Sequence, residues 1–129
     1  GEYVLREQDC LAGVRAQDHP DIVAITDHSL DVHGEHGGLR ELPNGAYGVP
    51  YRCLLPKGTA NLLVACRAAS FSQIAASSCR LQRAMITLGQ AAGHSAAMAA
   101  RDRVTLRSVD VAALQGDLRT QGVELPGVT

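Results

Sequence analysis

Apolar residues recur at alternating steps of four and three along residues 80–102, and this spacing predicts one long α-helix. A second face of this helix carries almost no side chain, and a third face is polar. Glycine weakens a helix by about 1 kcal/mol relative to alanine, so we expect a backbone or a flat ligand to approach the second face closely. The apolar face is Leu81, Met85, Leu88, Ala92, Ser95 and Ala99; the small-residue face is Gly89, Gly93, Ala96 and Ala100; the polar face is Arg83, Thr87, Gln90, His94 and Arg101.

Two unbroken apolar runs, residues 22–26 and 62–66, predict buried β-strands. We expect the second strand to be covered on both faces, because it contains no polar residue. Polar and apolar residues alternate along 27–33, which predicts either a half-exposed continuation of the first strand or a separate strand. Residues 47–55 predict an extended segment, in which Pro50 favours a sheet edge or a bulge.

Two shorter helices are predicted over residues 6–14 and 111–121. The glycine-rich residues 34–45 and the small residues 67–78 predict loops. Together these elements predict an α/β class fold of mixed α+β type, in which short strands pack with one long helix and two shorter helices. The 129 residues suit a single unit.

Composition narrows the classes of function. Hydrophobic residues make up 46% of the chain but aromatic residues only 3%, so the core consists of small and aliphatic side chains that bury little area each. We therefore expect the chain to need a partner surface. A net charge of −1 offers no field that would attract nucleic acid or an anionic membrane, and we predict neither as a partner.

The cysteines and histidines offer weaker candidates for chemistry. The four cysteines form no C-x-x-C pair, and we expect buried, reduced thiols, with a disulfide pair as the alternative. Three histidines lie within residues 28–36 beside acidic residues. On a strand His28 and His33 would point to opposite faces, because their separation of five is odd. We therefore predict no metal site. Nothing in the sequence fixes the cellular location, although a cytoplasmic one is favoured.

The strongest candidate for a ligand-binding site is the succession of an apolar strand, a loop of small residues and the long helix. A helix N-terminus offers unpaired backbone N–H groups and a partial positive charge, to which anionic or electron-rich ligand atoms bind. Small residues before the helix would let a large flat ligand lie against the backbone. The alternative is a crossover that merely packs on a sheet.

Four sequence blocks occur in order within residues 49–93: PYRCLLPKG, NLLVACRAAS, SSCRLQ and LGQAAG. They resemble the C-terminal region of the FAD-dependent oxidoreductase family, which includes proteins labelled as xanthan lyases. DHSLDVHG before these blocks and VDVAALQGDLRTQGV after them also resemble the family, so that the resemblance covers nearly the whole chain. Nothing in these residues predicts polysaccharide lyase chemistry.

The resemblance implies a C-terminal fragment of a Rossmann-type protein that uses FAD as the cofactor of the full-length parent. Residues 1–60 would supply strands and loops on the substrate side, and residues 61–129 would supply the last strand of the FAD domain and the C-terminal helices. The sequence contains no G-x-G-x-x-G after a strand, so the pyrophosphate-binding loop would lie upstream. The N-terminal FAD domain of the same parent is thus an implied partner.

The resemblance also implies which residues lie at the cofactor. Backbone amides at the start of the long helix would face the pyrimidine edge of the flavin, and the helix dipole would stabilise the charge of the reduced ring. The two helix glycines would permit tight packing on the FAD domain. Relatives tend to have a glycine where this chain has Cys66. The implied cofactor-binding residues are Arg67, Arg80, Leu81, Gln82, Gly89 and Gly93.

His33 and Arg52 are the candidate catalytic residues, because the resemblance places both segments on the substrate side of the flavin. A histidine can transfer a proton beside a hydride acceptor, and an arginine can bind a carboxylate of a small-molecule substrate. The alternatives are a strand-end histidine and a structural ion pair. Neither the substrate nor the electron acceptor follows from the sequence.

A second hypothesis concerns this chain separated from the FAD domain. It would then be a catalytically silent module that self-associates as a homodimer through the apolar surface left bare. Under either hypothesis we expect the small-residue face of the long helix to be exposed unless a partner covers it.

Overall fold

A computed structural model describes residues 1–127 of the chain. These residues form a mixed α+β fold with short antiparallel strands and one long helix, which confirms the predicted class. The helices are α1 (Glu7–Ala12), α2 (Gln73–Ser78), α3 (Gln82–Asp102) and α4 (Val111–Thr120), and the strands are β1 (Ile22–Thr26), β2 (Leu30–Val32), β3 (Gly38–Arg40) and β4 (Tyr47–Pro50). Two 3-10 helices span Tyr51–Leu54 and Leu106–Ser108.

The strands form two separate two-stranded antiparallel sheets, β1 with β4 and β2 with β3. β1 has the predicted boundaries and is almost entirely buried. The β1–β4 ladder has a bulge between Ile22 and Ala24, and Pro50 pairs with Ile22 at that end. Proline lacks the N–H that a regular ladder needs, so its position beside a bulge confirms the expectation from sequence.

The long helix α3 packs on β1, and the side that it buries differs from the predicted one. Leu88, Ser95 and Ala99 are buried as expected, but Leu81 is 41% exposed. Ala84 and Ala91 are fully buried instead, because their small side chains let the helix lie close to the strand. Periodicity alone does not distinguish two neighbouring faces that are both rich in alanine.

The apolar segment 62–66 is not a strand, so the prediction of a strand buried on both faces was wrong. Its residues are half-buried or exposed, and Leu62 is 48% exposed. A backbone hydrogen bond from Val64 N to Leu54 O (2.9 Å) links it to the middle of the chain, and Cys66 O accepts one from Ala69 N (2.9 Å) in the following turn. Within residues 1–127 no neighbouring strand pairs with it, and an isolated extended segment does not form a sheet.

Two short elements lie where loops were predicted. β3 falls within the glycine-rich residues 34–45, where a short exposed strand has no apolar pattern to reveal it. α2 falls within residues 67–78, so the shorter α-helices number three rather than two. The signal for α2 is its N-cap, since Ser72 Oγ accepts a hydrogen bond from Ala75 N (3.2 Å). Residues 51–54 form a 3-10 helix rather than extended chain.

Arg107 joins the two ends of the fold. Its Nε and Nη2 atoms donate to Glu2 Oε1 at 3.0 and 2.9 Å, across 105 positions of sequence. The same guanidinium donates to the carbonyl oxygens of Thr59 and Pro56. One side chain thus fixes the N-terminal segment, the turn before segment 62–66 and the region after α3.

None of the helices within residues 1–127 combines the length and the apolar content that crossing a membrane requires.

The turn after α1 yields a prediction about stability. Gly13 has φ 71° and ψ 161°, a region that is essentially restricted to glycine, and a Cβ there would lie 2.6 Å from Asn44 O. We expect Gly13→Ala to lower the free energy of unfolding by about 2–3 kcal/mol, measured by urea denaturation. Gly45→Ala is the matched control, because Gly45 has φ 73° but no atom within 4 Å of a Cβ. Gly45→Ala should lower the free energy of unfolding by only about 1 kcal/mol. If both variants lower it equally, the contact with Asn44 does not explain the loss at Gly13.

Candidate functional site

Arg80 lies in the turn before α3 and gathers two side chains from the β2 region. Its Nη2 atom lies 3.1 Å from Asp31 Oδ2 and 2.8 Å from His33 Nε2. Asp31 Oδ2 is in turn 3.0 Å from His33 Nε2. Asp31 and His33 are two positions apart on an extended segment, so they share one side of it. The structure therefore places the candidate catalytic His33 beside an implied cofactor residue.

His33 has a hydrogen-bond partner in either protonation state. When the ring is neutral, Nε2 can accept a hydrogen bond from Arg80, which only donates. When the ring is protonated, Nε2–H can donate to the Asp31 carboxylate. The side chain is 71% exposed, which leaves it accessible to a bound molecule. These are the properties that a group needs to give and take a proton.

A buried chain of hydrogen bonds positions this cluster. The Tyr47 hydroxyl on β4 donates to Ser78 Oγ at the end of α2 (2.7 Å). Ser78 Oγ then donates to the backbone oxygen of His28, just before β2. Burial raises the pKa of Tyr47, so its hydroxyl remains a neutral donor. The distance between β2 and the turn that carries Arg80 is thereby fixed from inside the core.

Arg67 secures the same turn from the other side, because its Nε donates to Arg80 O (3.0 Å). Leu81 is the N-cap of α3 and Gln82 its first residue. Leu81 makes no side-chain hydrogen bond to the helix, whereas α2 and α4 are capped by Ser72 and Asp110. The first amides of α3 thus have no capping side chain and carry the partial positive charge of the helix end.

An open cleft of about 780 Å³ lies against this end of α3, and we call it the entry cleft. Arg67 and Gln82, two implied cofactor residues, contribute to its wall. The other wall residues are mostly small or apolar, which leaves room for a flat ring beside the backbone. They are Ala65, Cys66, Ala68, Met85 and Ile86.

Gly89 and Gly93 lie further along α3 on a face that is exposed, as predicted for the small-residue face. A Cβ at either glycine would meet no atom within 4 Å, so no described residue makes the close approach that the glycines would permit. A second open cleft, of about 630 Å³, runs beside this face, and we call it the stripe cleft. Its wall includes Leu62, Leu63 and Val104 together with Gly93, Ala96 and Ala100.

Arg52 belongs to a different cluster. Its Nε and Nη2 atoms donate to the two carboxylate oxygens of Asp21 at 2.9 and 3.0 Å, and its backbone N–H also donates to Asp21. Burial alone would raise the pKa of Asp21, but hydrogen bonds and charge from Arg52 outweigh it, and the pKa is lowered. The guanidinium also lies 5.2 Å from the centre of the Tyr3 ring.

The geometry around Arg52 assigns the tautomer of His19. Arg52 Nη2, which only donates, lies 3.2 Å from His19 Nδ1, so Nδ1 accepts. The proton is then on Nε2, which donates to Asp9 Oδ1 (3.1 Å). Asp9 also accepts from the Tyr3 hydroxyl, and burial together with this bond raises the pKa of Tyr3 to about 12. Arg52 is thus held on several sides, and its predicted contact with a substrate carboxylate stays a prediction.

The structure brings together five of the eight residues singled out from the sequence. His33, Arg67, Arg80, Leu81 and Gln82 surround the start of α3, whereas Gly89 and Gly93 lie along the helix and Arg52 lies in its own cluster. Sequence reasoning missed Asp31, which contacts both Arg80 and His33. Its position two residues before His33 on an alternating segment was the available signal.

Three of the four cysteines are buried as expected, and all four are free thiols. Burial raises the pKa of Cys10, Cys53 and Cys79 to about 12. Cys66 is exposed, contrary to expectation, and lies in the wall of the entry cleft. Among residues 1–127 no group of three or more histidine, cysteine or acidic side chains is arranged to hold a metal ion.

Comparison with known families gives a match to the family described as FAD dependent oxidoreductase, over residues 1–118. The matched range includes β2, the turn before α3 and all of α3. Every residue around the start of α3 therefore falls within it. No curated protein and no solved structure matches the chain.

The Arg52–Asp21 pair predicts how stability depends on pH. Because the pKa of Asp21 is lower in the folded chain than in the unfolded chain, its ionised form favours folding. This contribution is complete above the unfolded pKa of about 3.9 and is lost as the pH falls below it. We expect Asp21→Asn to cost about 1–2 kcal/mol at pH 7 in urea unfolding and progressively less as the pH is lowered towards 2.

Asp102→Asn is the control for the Asp21 variant. Asp102 pairs with Arg101 at 2.6 Å, but both side chains are largely exposed and the pair lies at the end of α3. Solvent screens such a pair, so the variant should unfold like the wild type at every pH. The difference in free energy of unfolding between Asp21→Asn and the wild type should shrink as the pH falls. If it stays constant from pH 7 to pH 2, the ionised carboxylate of Asp21 is not the source of the stabilisation.

The thiols provide a second prediction. In the native protein only Cys66 should react with a thiol reagent at neutral pH, because the other three thiols are buried and un-ionised. Mass spectrometry should find one modified cysteine in the folded chain and four after unfolding. Cys66→Ser should abolish the reaction of the folded chain. A second thiol that reacts as fast as Cys66 would show that the core opens to solvent in the native protein.

Proposed function

Because the chain belongs to the FAD dependent oxidoreductase family, we propose that it is the flavin-facing segment of such an enzyme. The parent enzyme would pass a hydride or an electron pair between a small-molecule substrate and FAD. The observation that carries this proposal is the start of α3, where backbone amides without a capping side chain lie beside Arg67 and the entry cleft. An electron-rich ring edge is a suitable partner for such a helix end.

Two exposed surfaces support the further proposal that the chain is the C-terminal region of a Rossmann-type protein. Segment 62–66 is apolar and extended but pairs with no strand among residues 1–127, as expected for the last strand of a sheet completed by another domain. The small-residue face of α3 lies close by, at the stripe cleft. An N-terminal FAD domain that carries the pyrophosphate-binding loop would cover both surfaces, and residues 1–60 would then lie on the substrate side.

The residues at the start of α3 fit the flavin in their chemistry. The amides of Leu81 and Gln82 would donate to the pyrimidine edge, whereas the Arg80 N–H already donates to Ser78 O (2.8 Å). Arg67 would hold their turn in place through Arg80 O. Gly89 and Gly93 would let the helix lie close to the FAD domain. When bound, the flavin supplies the hydride acceptor, and the positive end of α3 favours the charge of its reduced form.

His33 is the residue that we propose for proton transfer to or from the substrate. Its ring has a partner in both protonation states, Arg80 for the neutral ring and Asp31 for the cation. Arg52 would contribute a carboxylate contact only through donors that Asp21 and His19 leave free. We therefore propose that its main effect on substrate is to fix the segment that carries it.

One observation favours a second function. The exposed small-residue face and the half-exposed segment 62–66 form a continuous apolar surface around the stripe cleft. A chain separated from the FAD domain would lower its free energy by burying this surface. The second candidate is therefore a catalytically inactive module that self-associates.

Protection of Cys66 tests the flavin proposal, because this exposed thiol lies in the entry cleft. We expect FAD and riboflavin to slow alkylation of Cys66 in this chain, with a Kd on the order of 1 mM, or about −4 kcal/mol. The affinity should be weak because the pyrophosphate-binding loop is not in this sequence. ATP, which lacks the flavin ring, should give no protection.

A bulky side chain provides the matched control. Ala68 is exposed in the wall of the entry cleft, so Ala68→Trp should fill the cleft and abolish protection by flavin. Ala112→Trp, on the exposed side of α4, should leave protection unchanged. Equal protection in both variants, or no protection by flavin at any concentration, would reject the entry cleft as the flavin site. Tight binding would show that the cofactor needs no upstream loop.

A further inference from the structure

Arg80 decides which nitrogen of the neutral His33 ring carries the proton. Its Nη2 atom has two hydrogens and two acceptors within reach, Asp31 Oδ2 at 3.1 Å and His33 Nε2 at 2.8 Å. An arginine never accepts a hydrogen bond, so Nε2 carries the lone pair and the proton of the neutral ring is on Nδ1. Nδ1 has no hydrogen-bond partner among residues 1–127. A molecule that reaches Nδ1 on this exposed ring therefore meets an N–H donor rather than a base.

The second neutral tautomer of His33 also has a partner. Asp31 Oδ2 lies 3.0 Å from His33 Nε2, so it would accept a hydrogen bond from Nε2–H. In that tautomer the lone pair is on Nδ1, where the ring can take a proton from a bound molecule. Arg80 opposes this tautomer, because two donors would then face each other at 2.8 Å. Release of Arg80 from His33 would thus convert the exposed nitrogen from a donor into a base.

Arg80 has the unused donors that a competing ligand needs. Within residues 1–127 its Nε and Nη1 atoms make no hydrogen bond, and its side chain is 35% exposed. A guanidinium binds a carboxylate through two parallel N–H···O bonds. A carboxylate bound there would compete with His33 and Asp31 for Arg80, and Asp31 would then accept from Nε2–H. Arg52 does not offer the same fork, because Asp21 already accepts from its Nε and Nη2 atoms.

We propose that a carboxylate of the substrate binds Arg80 and thereby makes His33 the base of the reaction, with Nδ1 as the proton-accepting atom. The inference rests on the proposed function and names its substrate class, a carboxylic acid that carries a hydroxyl or amino group. A hydride leaves the substrate carbon for the flavin, and the O–H or N–H proton moves to Nδ1. The electron pair of that O–H or N–H bond completes a C=O or C=N bond. The cation of His33 keeps its Nε2–H on Asp31.

Charge favours this sequence of events. Without a ligand, Arg80 and Asp31 neutralise each other, so a protonated His33 would leave the cluster with a net positive charge. With a carboxylate on Arg80, the cluster forms two ion pairs, one with the ligand and one between Asp31 and the His33 cation. Arg80 is therefore a specificity-determining residue, because His33 becomes a base only when a carboxylate is bound.

The tautomer of His33 tests the proposal in this chain without any flavin. In ¹⁵N-resolved NMR spectra at about pH 8, where a histidine ring is mostly neutral, the wild type should carry the proton on Nδ1. Acetate, used as the simplest carboxylate, should raise the ratio of Nε2–H to Nδ1–H about tenfold, because the charge-assisted bond from Arg80 is lost. Acetamide has the same shape without the charge and should leave the ratio unchanged.

Two arginine variants provide the matched comparison. Arg80→Met removes the donor, so Nε2–H should predominate without acetate, and acetate should have no further effect. Arg83→Met removes the same charge close by, but Arg83 donates to Asp27 and Glu124, so the wild-type response to acetate should persist. Circular dichroism should show both variants folded.

Two results would overturn the proposal. Predominant Nε2–H in the wild type without acetate would show that Arg80 does not hold the ring, and a ratio that acetate never changes would exclude the release. Neither result bears on the flavin, which protection of Cys66 tests separately. If flavin gives no protection but acetate still shifts the ratio, the flavin proposal fails and the carboxylate site at Arg80 stands.

Discussion

The structure depends on the buried hydroxyl of Tyr47. This tyrosine is among the largest fully buried side chains, and a buried hydroxyl without a partner would cost free energy. The bond that it donates to Ser78, and the bond that Ser78 donates to the His28 carbonyl, tie β4, α2 and the approach to β2 together. The turn that carries Arg80 follows α2 directly, so its position relative to β2 is set by the core. The contact of Arg80 with Asp31 and His33 is a consequence of that constraint.

The elements that could be predicted from sequence are those with a strong local pattern. β1 has unbroken β-branched and apolar residues, and α3 has a long helical period, so both were found. Segment 62–66 has the same apolar character as β1 but no partner strand among residues 1–127, and a strand requires one. β3 and α2 were missed because stretches rich in glycine and serine favour loops and turns. Only the Ser72 cap marked α2.

For the site, the residues around the start of α3 could be identified, but their mutual arrangement could not. His33 and Arg80 are separated by 47 positions, and no local rule predicts that contact. The two arginines also differ in a way that sequence does not reveal. Arg52 is enclosed by Asp21, His19 and Tyr3, whereas Arg80 bridges an exposed histidine and an acid just before α3. Identical side chains thus differ in what they leave available for a ligand.

The bond between Arg107 and Glu2 has a consequence for how the chain acquires its structure. Tyr51 Oη also donates to Leu106 O, so the region after α3 closes on the middle of the chain as well as on its beginning. Contacts between such distant positions slow folding, because loop-closure entropy is lost before the contact forms. During synthesis these contacts cannot form until residue 107 has left the ribosome. Folding of this unit should therefore wait for residue 107, and its unfinished apolar segments would be open to chaperones until that point.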